Sequence, residues 1–286
     1  MYHIIFNPVA GKKKAVKNLR AVTAELDLRQ IEYEVHESCA VRDAESIAFQ
    51  LSERGEREFI VLGGDGTLHE VLNGLNDPEA CKIGLIPSGT GNDFAEKMGI
   101  PLDAKQAILR IVEGEAKPVD YLQVGSRRCM NVAGLGIDVD VLKRCQKGKL
   151  KGKIKYLWSL VKSFFAFKGY RVRVECGDRV ETHDALICAA CNGAQFGGGI
   201  KICPPAEIDD GKLDVIVVDL IGGKWKIIKA FIQLLKGKVI EYPLTTYFRC
   251  DRVQFLPESP CTVQLDGELY DDMTFDAKIC KGLRFY

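Results

Sequence analysis

Asp65 sits in the run Phe59-Ile-Val-Leu-Gly-Gly-Asp-Gly-Thr-Leu-His-Glu70, where an apolar strand pattern turns through glycines into a helical one. Glycines without Cβ let backbone N–H groups approach an anion, and the helix start behind them carries partial positive charge. A carboxylate inside such a cradle requires a divalent cation or a proton between it and a phosphate. That combination points to phosphoryl transfer. Two more loops have the same character: Asn7-Pro-Val-Ala-Gly-Lys12 and Ser88-Gly-Thr-Gly-Asn-Asp93. A single loop of this kind reads equally as a connecting turn; three on one sheet edge argue for a ligand. None is a Walker A loop, and Gly134-Leu-Gly136 lacks the third glycine of a dinucleotide fingerprint.

The elements that must hold these loops alternate regularly over residues 1–120. Strand patterns cover Tyr2 to Asn7, Ile31 to His36, Phe59 to Leu62 and Lys82 to Ile86. Helical spacing covers Lys14 to Leu26, Ala44 to Arg54, Leu68 to Leu75, Asp93 to Met98 and Ala104 to Glu113. Short connections between alternating strands and helices predict an α/β domain on a parallel sheet, with ligands beyond the carboxyl ends of the strands. All three loops fall there. After Asp120 the texture becomes mostly β. Strand patterns run over Tyr121 to Val124, Arg128 to Val132, Arg171 to Cys176, His183 to Cys191, Leu213 to Leu220, Arg249 to Leu256, Thr262 to Leu265 and Thr274 to Cys280. Helical segments interrupt them near 150–167 and 224–236. A sandwich or open barrel over 121–280 is expected.

The chain has 286 residues, 47% of them hydrophobic, which is enough for two cores. A net charge of +1 argues against bulk binding to nucleic acid. No run approaches the ~20 apolar residues needed to span a bilayer, and the N-terminus lacks the pattern of a signal peptide. A soluble cytoplasmic protein is expected. Eleven cysteines scattered through strand patterns read as reduced thiols, and Cys188-x-x-Cys191 has no second pair to complete a zinc site.

Taken in order, Asn7-Pro8…Gly11-Lys12, Gly63 to Glu70, Pro87-Ser-Gly-Thr-Gly-Asn-Asp93, Gly134-Leu-Gly-Ile-Asp138, Pro204 to Asp214 and Asp266-Gly-Glu268 resemble the diacylglycerol kinase catalytic family. The likeness runs through nearly the whole chain and is strongest to the stand-alone bacterial lipid kinases. It implies a three-layer ATP-binding domain similar to NAD kinases and phosphofructokinases over 1–120, with residues 281–286 returning to it. A β-sandwich lipid-binding domain over 121–280 follows.

Matched residue by residue, the resemblance places the nucleotide against Asn7, Pro8, Val9, Ala10 and Gly11, against Gly64, Asp65, Gly66, Thr67, Leu68, His69 and Glu70, and beside Ser38 and Thr90. It assigns Asp65, Asp93 and Asp120 to a network of Mg2+ and its waters. Asp93 also opens a helix and Asp120 ends a strand, so each has a structural role open to it. Taking the proton of the acceptor hydroxyl falls to the Asp266-Gly-Glu268 motif, with Glu268 named as acceptor and Asp266 as its essential neighbour. Strand alternation points the two the same way and does not choose between them. The resemblance also places a structural Mg2+ in the loop of Glu207, Asp210 and Lys212, where Asp210 gives its side chain and a lysine could offer only its carbonyl.

From Val141 to Val174 there are eleven Lys or Arg residues and no acid, interleaved with Tyr156, Trp158, Phe164, Phe165 and Phe167. Such a segment suits an anionic bilayer surface, and equally a helix with a core stripe and solvated lysines. Lys224 to Lys238 offers a weaker second contact. The expected protein is an ATP- and Mg2+-dependent kinase of a membrane lipid, with diacylglycerol the leading acceptor. It is expected to be peripheral to the inner face of the membrane, with no nucleic acid partner and a homodimer left open. The competing readings are a soluble NAD-kinase-like enzyme and a nucleotide or lipid sensor without catalysis.

Overall fold

The computed structural model describes residues 1–147, 167, 169–220 and 224–286. It divides into two compact units, Met1–Asp120 with Lys281–Tyr286, and Tyr121–Cys280.

The first unit alternates β1 (Tyr2–Phe6), α1 (Lys14–Leu28), β2 (Tyr33–Glu37), α2 (Asp43–Glu53), β3 (Glu58–Gly63), α3 (Asp65–Gly74), β4 (Lys82–Pro87), α4 (Asp93–Lys97) and α5 (Ala104–Glu113). The strands are parallel in the order β2-β1-β3-β4, with Ile4 opposite both Val35 and Ile60, and Ile60 opposite Gly84. The final strand, β15 (Phe275–Phe285), adds its last residues beside β4, pairing Arg284 with Lys82 and Phe285 with Ile83. Ile4, Ile5, Phe59 to Leu62, Ile83 and Ile86 are wholly buried. Such unbroken apolar runs belong to a parallel sheet covered on both faces, and each of those side chains contributes roughly 1.5–3 kcal/mol by leaving water. The cover consists of two packed helix pairs, α1 with α5 and α2 with α3. In α5 the buried Ala104, Ala107, Ile108 and Ile111 form one face, and Asp103 caps the start by accepting the Gln106 N–H at 3.0 Å. Strand β2 is the sheet edge, and none of its residues is fully buried: Glu34, Val35 and Glu37 are exposed, and the two glutamates put charge on the edge.

The second unit contains β5 (Lys117–Val124, entering from the first), β6 (Arg127–Cys129), β7 (Val132–Gly136), α6 (Ile137–Lys147), β8 (Tyr170–Cys176), β9 (Arg179–Cys191), β10 (Leu213–Asp219), α7 (Lys224–Leu235), β11 (Thr245–Cys250), β12 (Arg252–Pro257), β13 (Val263–Leu265), β14 (Glu268–Tyr270) and most of β15. The order β14-β13-β7-β9-β8-β12-β15 is antiparallel throughout, and β10 pairs with β9 on one side and β11 on the other. Strand β9 alternates partly buried and exposed residues as far as Asp184 and is then continuously buried. The second stretch has cores on both faces. Ala185, Cys188 and Ala190 join one, and Leu186, Ile187, Ala189 and Cys191 join the other. The two cysteines of the C-x-x-C therefore point into different cores as packing residues.

Three sequence expectations are corrected in detail. Arg249 to Leu256 is two strands with different partners, β11 on β10 and β12 on β8 and β15, separated at Asp251. The expected strand Arg128 to Val132 breaks between β6 and β7, because the N–H groups of residues 130–132 turn to a side chain. A helix, α6, follows directly on β7. The helix expected near 150–167 lies outside the described residues except for Phe167. No helix among the described residues is long and apolar enough to cross a membrane.

Candidate active site

The three glycine loops leave the carboxyl ends of β1, β3 and β4 and are tied to one another. Asn7 donates its N–H to Leu62 O at 3.1 Å, accepts the Val9 N–H on Oδ1 at 3.1 Å and reaches Thr67 Oγ1 from Nδ2 at 3.3 Å. The first loop is thereby fixed to the second. Ser38, at the end of β2, is buried and bonds Phe6 O through its N–H at 2.9 Å. In the third loop Ser88 donates its N–H to Gly63 O at 2.7 Å and accepts Asn18 Nδ2 on its hydroxyl at 2.8 Å.

Asp65 is the centre of this arrangement. Its Oδ2 accepts the Asn92 N–H at 2.7 Å and its Oδ1 the Phe94 N–H at 3.4 Å. Those are orphan donors at the start of α4, so a carboxylate from α3 caps a helix of the neighbouring loop. Asn92, at φ 56°, has no cap of its own and instead brackets Gly89, accepting its N–H at 2.9 Å and donating to its carbonyl at 3.1 Å. Gly64 and Gly89 meet backbone to backbone. A Cβ on Gly64 would lie 2.9 Å from Gly89 Cα, and one on Gly89 would lie 2.6 Å from Gly64 Cα.

The other expected nucleotide residues separate by exposure. Val9 and Thr90 are exposed, and Pro8, Ala10, Gly11, Gly64, Asp65 and Gly66 are partly so. Thr67, Leu68 and His69 are buried on α3, and the Leu68 N–H donates to Gly64 O at 3.0 Å. Glu70 is engaged elsewhere, its carboxylate accepting the N–H groups of Arg42 at 3.1 Å and Ala44 at 3.2 Å at the start of α2. Asp93 lies in the first turn of α4 and Asp120 on β5, at 5% and 4% exposure.

In the second unit Asp266 and Gly267, at φ 52° and 93°, form the two-residue loop of the β13–β14 hairpin, closed by the pair Leu265 and Glu268. Strand alternation does not apply across this turn, so the two acids part. The Asp266 carboxylate accepts the N–H groups of Met130 at 2.6 Å, Asn131 at 2.8 Å and Val132 at 3.2 Å. The Cys129 thiol donates to it at 3.1 Å, and burial together with the Asp266 charge pushes that thiol's pKa well up. The Glu268 side chain is exposed, and its carboxylate makes no hydrogen bond or ion pair among the described residues.

Asp138, in the first turn of α6, is a further acid in this region, and the sequence alone leaves its role unassigned. It is buried, and neither oxygen has a fully formed hydrogen bond. Desolvation raises its pKa to about 7, and the nearby backbone N–H groups of Val139 and Asp138 and the Gln264 amide offset only part of this. Gln264 also links the region to the hairpin, accepting the Gly267 N–H at 3.0 Å and donating to Val132 O at 3.3 Å. The Gly134-Leu-Gly-Ile-Asp138 motif is the signal that marks it in the sequence.

The 207–212 loop offers hard oxygen donors, which suit Mg2+. Here Asp210 is engaged within the chain, accepting the Lys212 N–H at 2.9 Å and pairing with the Arg249 guanidinium. Lys212 pairs with Asp251 at 2.6 Å, and Glu207 is exposed. A cation in this loop competes with Arg249 for Asp210.

Both parts of the chain are similar to known proteins. The family model described as diacylglycerol kinase catalytic domain matches residues 1–124. The one described as YegS C-terminal NAD kinase beta sandwich-like domain matches residues 131–282. A "probable lipid kinase YegS-like" of Xanthomonas oryzae pv. oryzae is 31% identical over 273 residues, covering 90% of this chain and 87% of that one. A diacylglycerol kinase of Staphylococcus saprophyticus is 32% identical over 269 residues, covering 93% and 88%. Among solved structures, a diacylglycerol kinase from Bacillus anthracis superposes with a TM-score of 0.76 at 22% identity, over 99% of this chain and 95% of that one, a likeness of fold.

Proposed function

The chain belongs to the diacylglycerol kinase catalytic-domain family, and from that premise we propose that it is an ATP- and Mg2+-dependent lipid kinase acting on diacylglycerol. The observation that carries the donor half is the Asp65 carboxylate bound across two glycine loops whose backbones touch at Gly64 and Gly89. A nucleotide phosphate fits there because the approach is open to backbone donors. A divalent cation fits because Asp65 is a partly exposed carboxylate, a hard oxygen donor of the kind Mg2+ takes, set beside the glycine backbones. Asp65, Asp93 and Asp120 would hold Mg2+ directly or through its waters, and the ion supplies neutralisation of phosphate charge.

The remaining work belongs to the chain's own groups. Glu268 takes the proton of the lipid hydroxyl as its oxygen attacks the γ-phosphate, a contribution on the order of 10²–10⁴-fold. Asp266 positions it by pinning the hairpin to residues 130–132. Glu207, Asp210 and Lys212 would hold a structural Mg2+, which would neutralise the Asp210 charge in place of the Arg249 guanidinium.

For the approach to lipid, α7 presents Trp225, Ile232 and Leu235 at 79%, 42% and 49% exposure, with exposed Lys226, Lys229 and Lys236 around them. Ala230, Phe231 and Leu234 pack against the core. This amphipathic composition supports peripheral binding to an anionic bilayer, alongside the basic 141–174 segment.

The test is transfer of labelled phosphate from ATP to a lipid panel in mixed micelles, with and without Mg2+, for the unaltered chain and Glu268→Gln. Labelled phosphatidic acid, dependent on Mg2+ and reduced at least a hundredfold in the variant, is expected. Phosphorylation of NAD without lipid turnover would replace the acceptor, and an undiminished variant would remove Glu268 as the base.

A further inference from the structure

The first unit carries a second cluster of chemistry-bearing side chains. His3 on β1 and Glu34 and His36 on β2 bring one donor atom each within 4.8 Å of the others. His3 Nδ1 is 3.1 Å from His36 Nε2, and Glu34 Oε2 is 3.6 Å from each of those nitrogens. Zinc bound tetrahedrally at ~2.0–2.1 Å sets its ligand atoms about 3.3 Å apart. The three atoms already stand close to that spacing.

Burial and register strengthen the pattern. His3 is 1% exposed, faces Glu34 in the β1–β2 register, and has a buried Nε2 with no formed hydrogen bond. Glu56 Oε2 approaches that nitrogen at 2.9 Å, a charge contact on the far side of the ring from His36. A carboxylate there favours the Nε2–H tautomer and leaves the Nδ1 lone pair facing the cluster, as in carboxylate–histidine–zinc arrangements. Arg54 adds positive field at His36, where Glu34 opposes it, and Glu56 sets a second carboxylate against His3. Glu34 is half-exposed, which leaves the remaining coordination position open to water.

We infer that His3, Glu34 and His36 form a binding site for a zinc-class divalent ion, distinct from the magnesium positions of the kinase reading. Among the described residues strand β2 pairs only with β1, at the sheet edge. His3 is near the amino end of β1, whereas the glycine loops follow the carboxyl ends. A metal here clamps the edge strand to the sheet rather than meeting the nucleotide.

The experiment uses the full chain, purified metal-free, with Co2+ as a spectroscopic probe and Zn2+ as competitor, and no kinase substrate. The expected result is one equivalent of Co2+ with visible ligand-field bands, displaced by Zn2+, and a melting temperature several degrees higher with zinc. Glu34→Gln and His36→Gln, at an exposed and a partly buried position of the edge strand, should fold like the parent yet weaken Co2+ binding at least tenfold. Absence of stoichiometric binding in the parent overturns the inference. Unchanged binding in both variants overturns it too, since the thiols or other carboxylates are then the donors.

Discussion

Asp65 Oδ2 accepts the N–H of Asn92 at 2.7 Å, so the acid of one glycine loop caps the helix that begins in another. The carboxylate therefore has a structural role before any ligand arrives. Asp65→Asn replaces one charged acceptor with an amide whose NH2 opposes an N–H. The expected cost is about 1–3 kcal/mol, the range for a charge-assisted hydrogen bond. Thermal melting without ligand measures it, together with loss of phosphate transfer. A variant that melts like the parent would show that the loops do not depend on this carboxylate.

The two acids of the Asp266-Gly-Glu268 motif should separate by readout. Asp266→Asn leaves one of three backbone N–H groups facing an amide donor, and the hairpin loosens. Its melting temperature and its activity should fall together. Glu268→Gln alters an exposed side chain, so melting should stay within about 2 °C while kcat falls on the order of 10²–10⁴-fold. If Glu268→Gln melts early and keeps its kcat, the roles are reversed.

Legibility in the sequence follows locality. The α/β alternation, the three loops and the mostly β second half can be read because periodicity and glycine spacing are properties of short windows. Asp65 stands out as a carboxylate in a phosphate cradle, but not as a cap, because its partners lie 27 and 29 residues away. Glu70 reads as a nucleotide contact, yet it closes the start of α2 across 26 and 28 residues. Asp266 and Glu268 stand two apart in a strand-like string, and only positive φ at the turn reveals that they diverge. Long-range hydrogen bonds to backbone N–H groups leave no periodic trace.

Asp138 predicts a pH dependence of stability. The folded chain holds its proton up to about pH 7, whereas an unfolded aspartate loses it near pH 4. Between those values the folded state binds more protons, so stability declines as pH rises and levels off above about 7. The distance between the folded and unfolded values bounds the total loss at ~4 kcal/mol. Denaturant titrations at pH 5, 6, 7 and 8 should show the decline, and Asp138→Asn should flatten it and exceed the parent at pH 8. An identical profile in the variant would assign the effect to other groups.

Helix α7 decides whether the second unit touches a bilayer by itself. Trp225, Lys229, Ile232 and Lys236 recur at helical spacing on its exposed side, while Ala230 is buried on the other. An exposed tryptophan that only covered the core would not recur with lysines along one stripe. Near an anionic surface each lysine is worth about 1 kcal/mol, so Lys226→Glu with Lys229→Glu should weaken vesicle binding more than tenfold. Trp225→Ala should weaken it by removing apolar insertion, with little change in salt dependence. Sedimentation with phosphatidylserine and with neutral phosphatidylcholine vesicles separates the two contributions. If the double variant binds the anionic vesicles as the parent does, the contact belongs to the 141–174 segment instead, and the exposed face of α7 has no part in it.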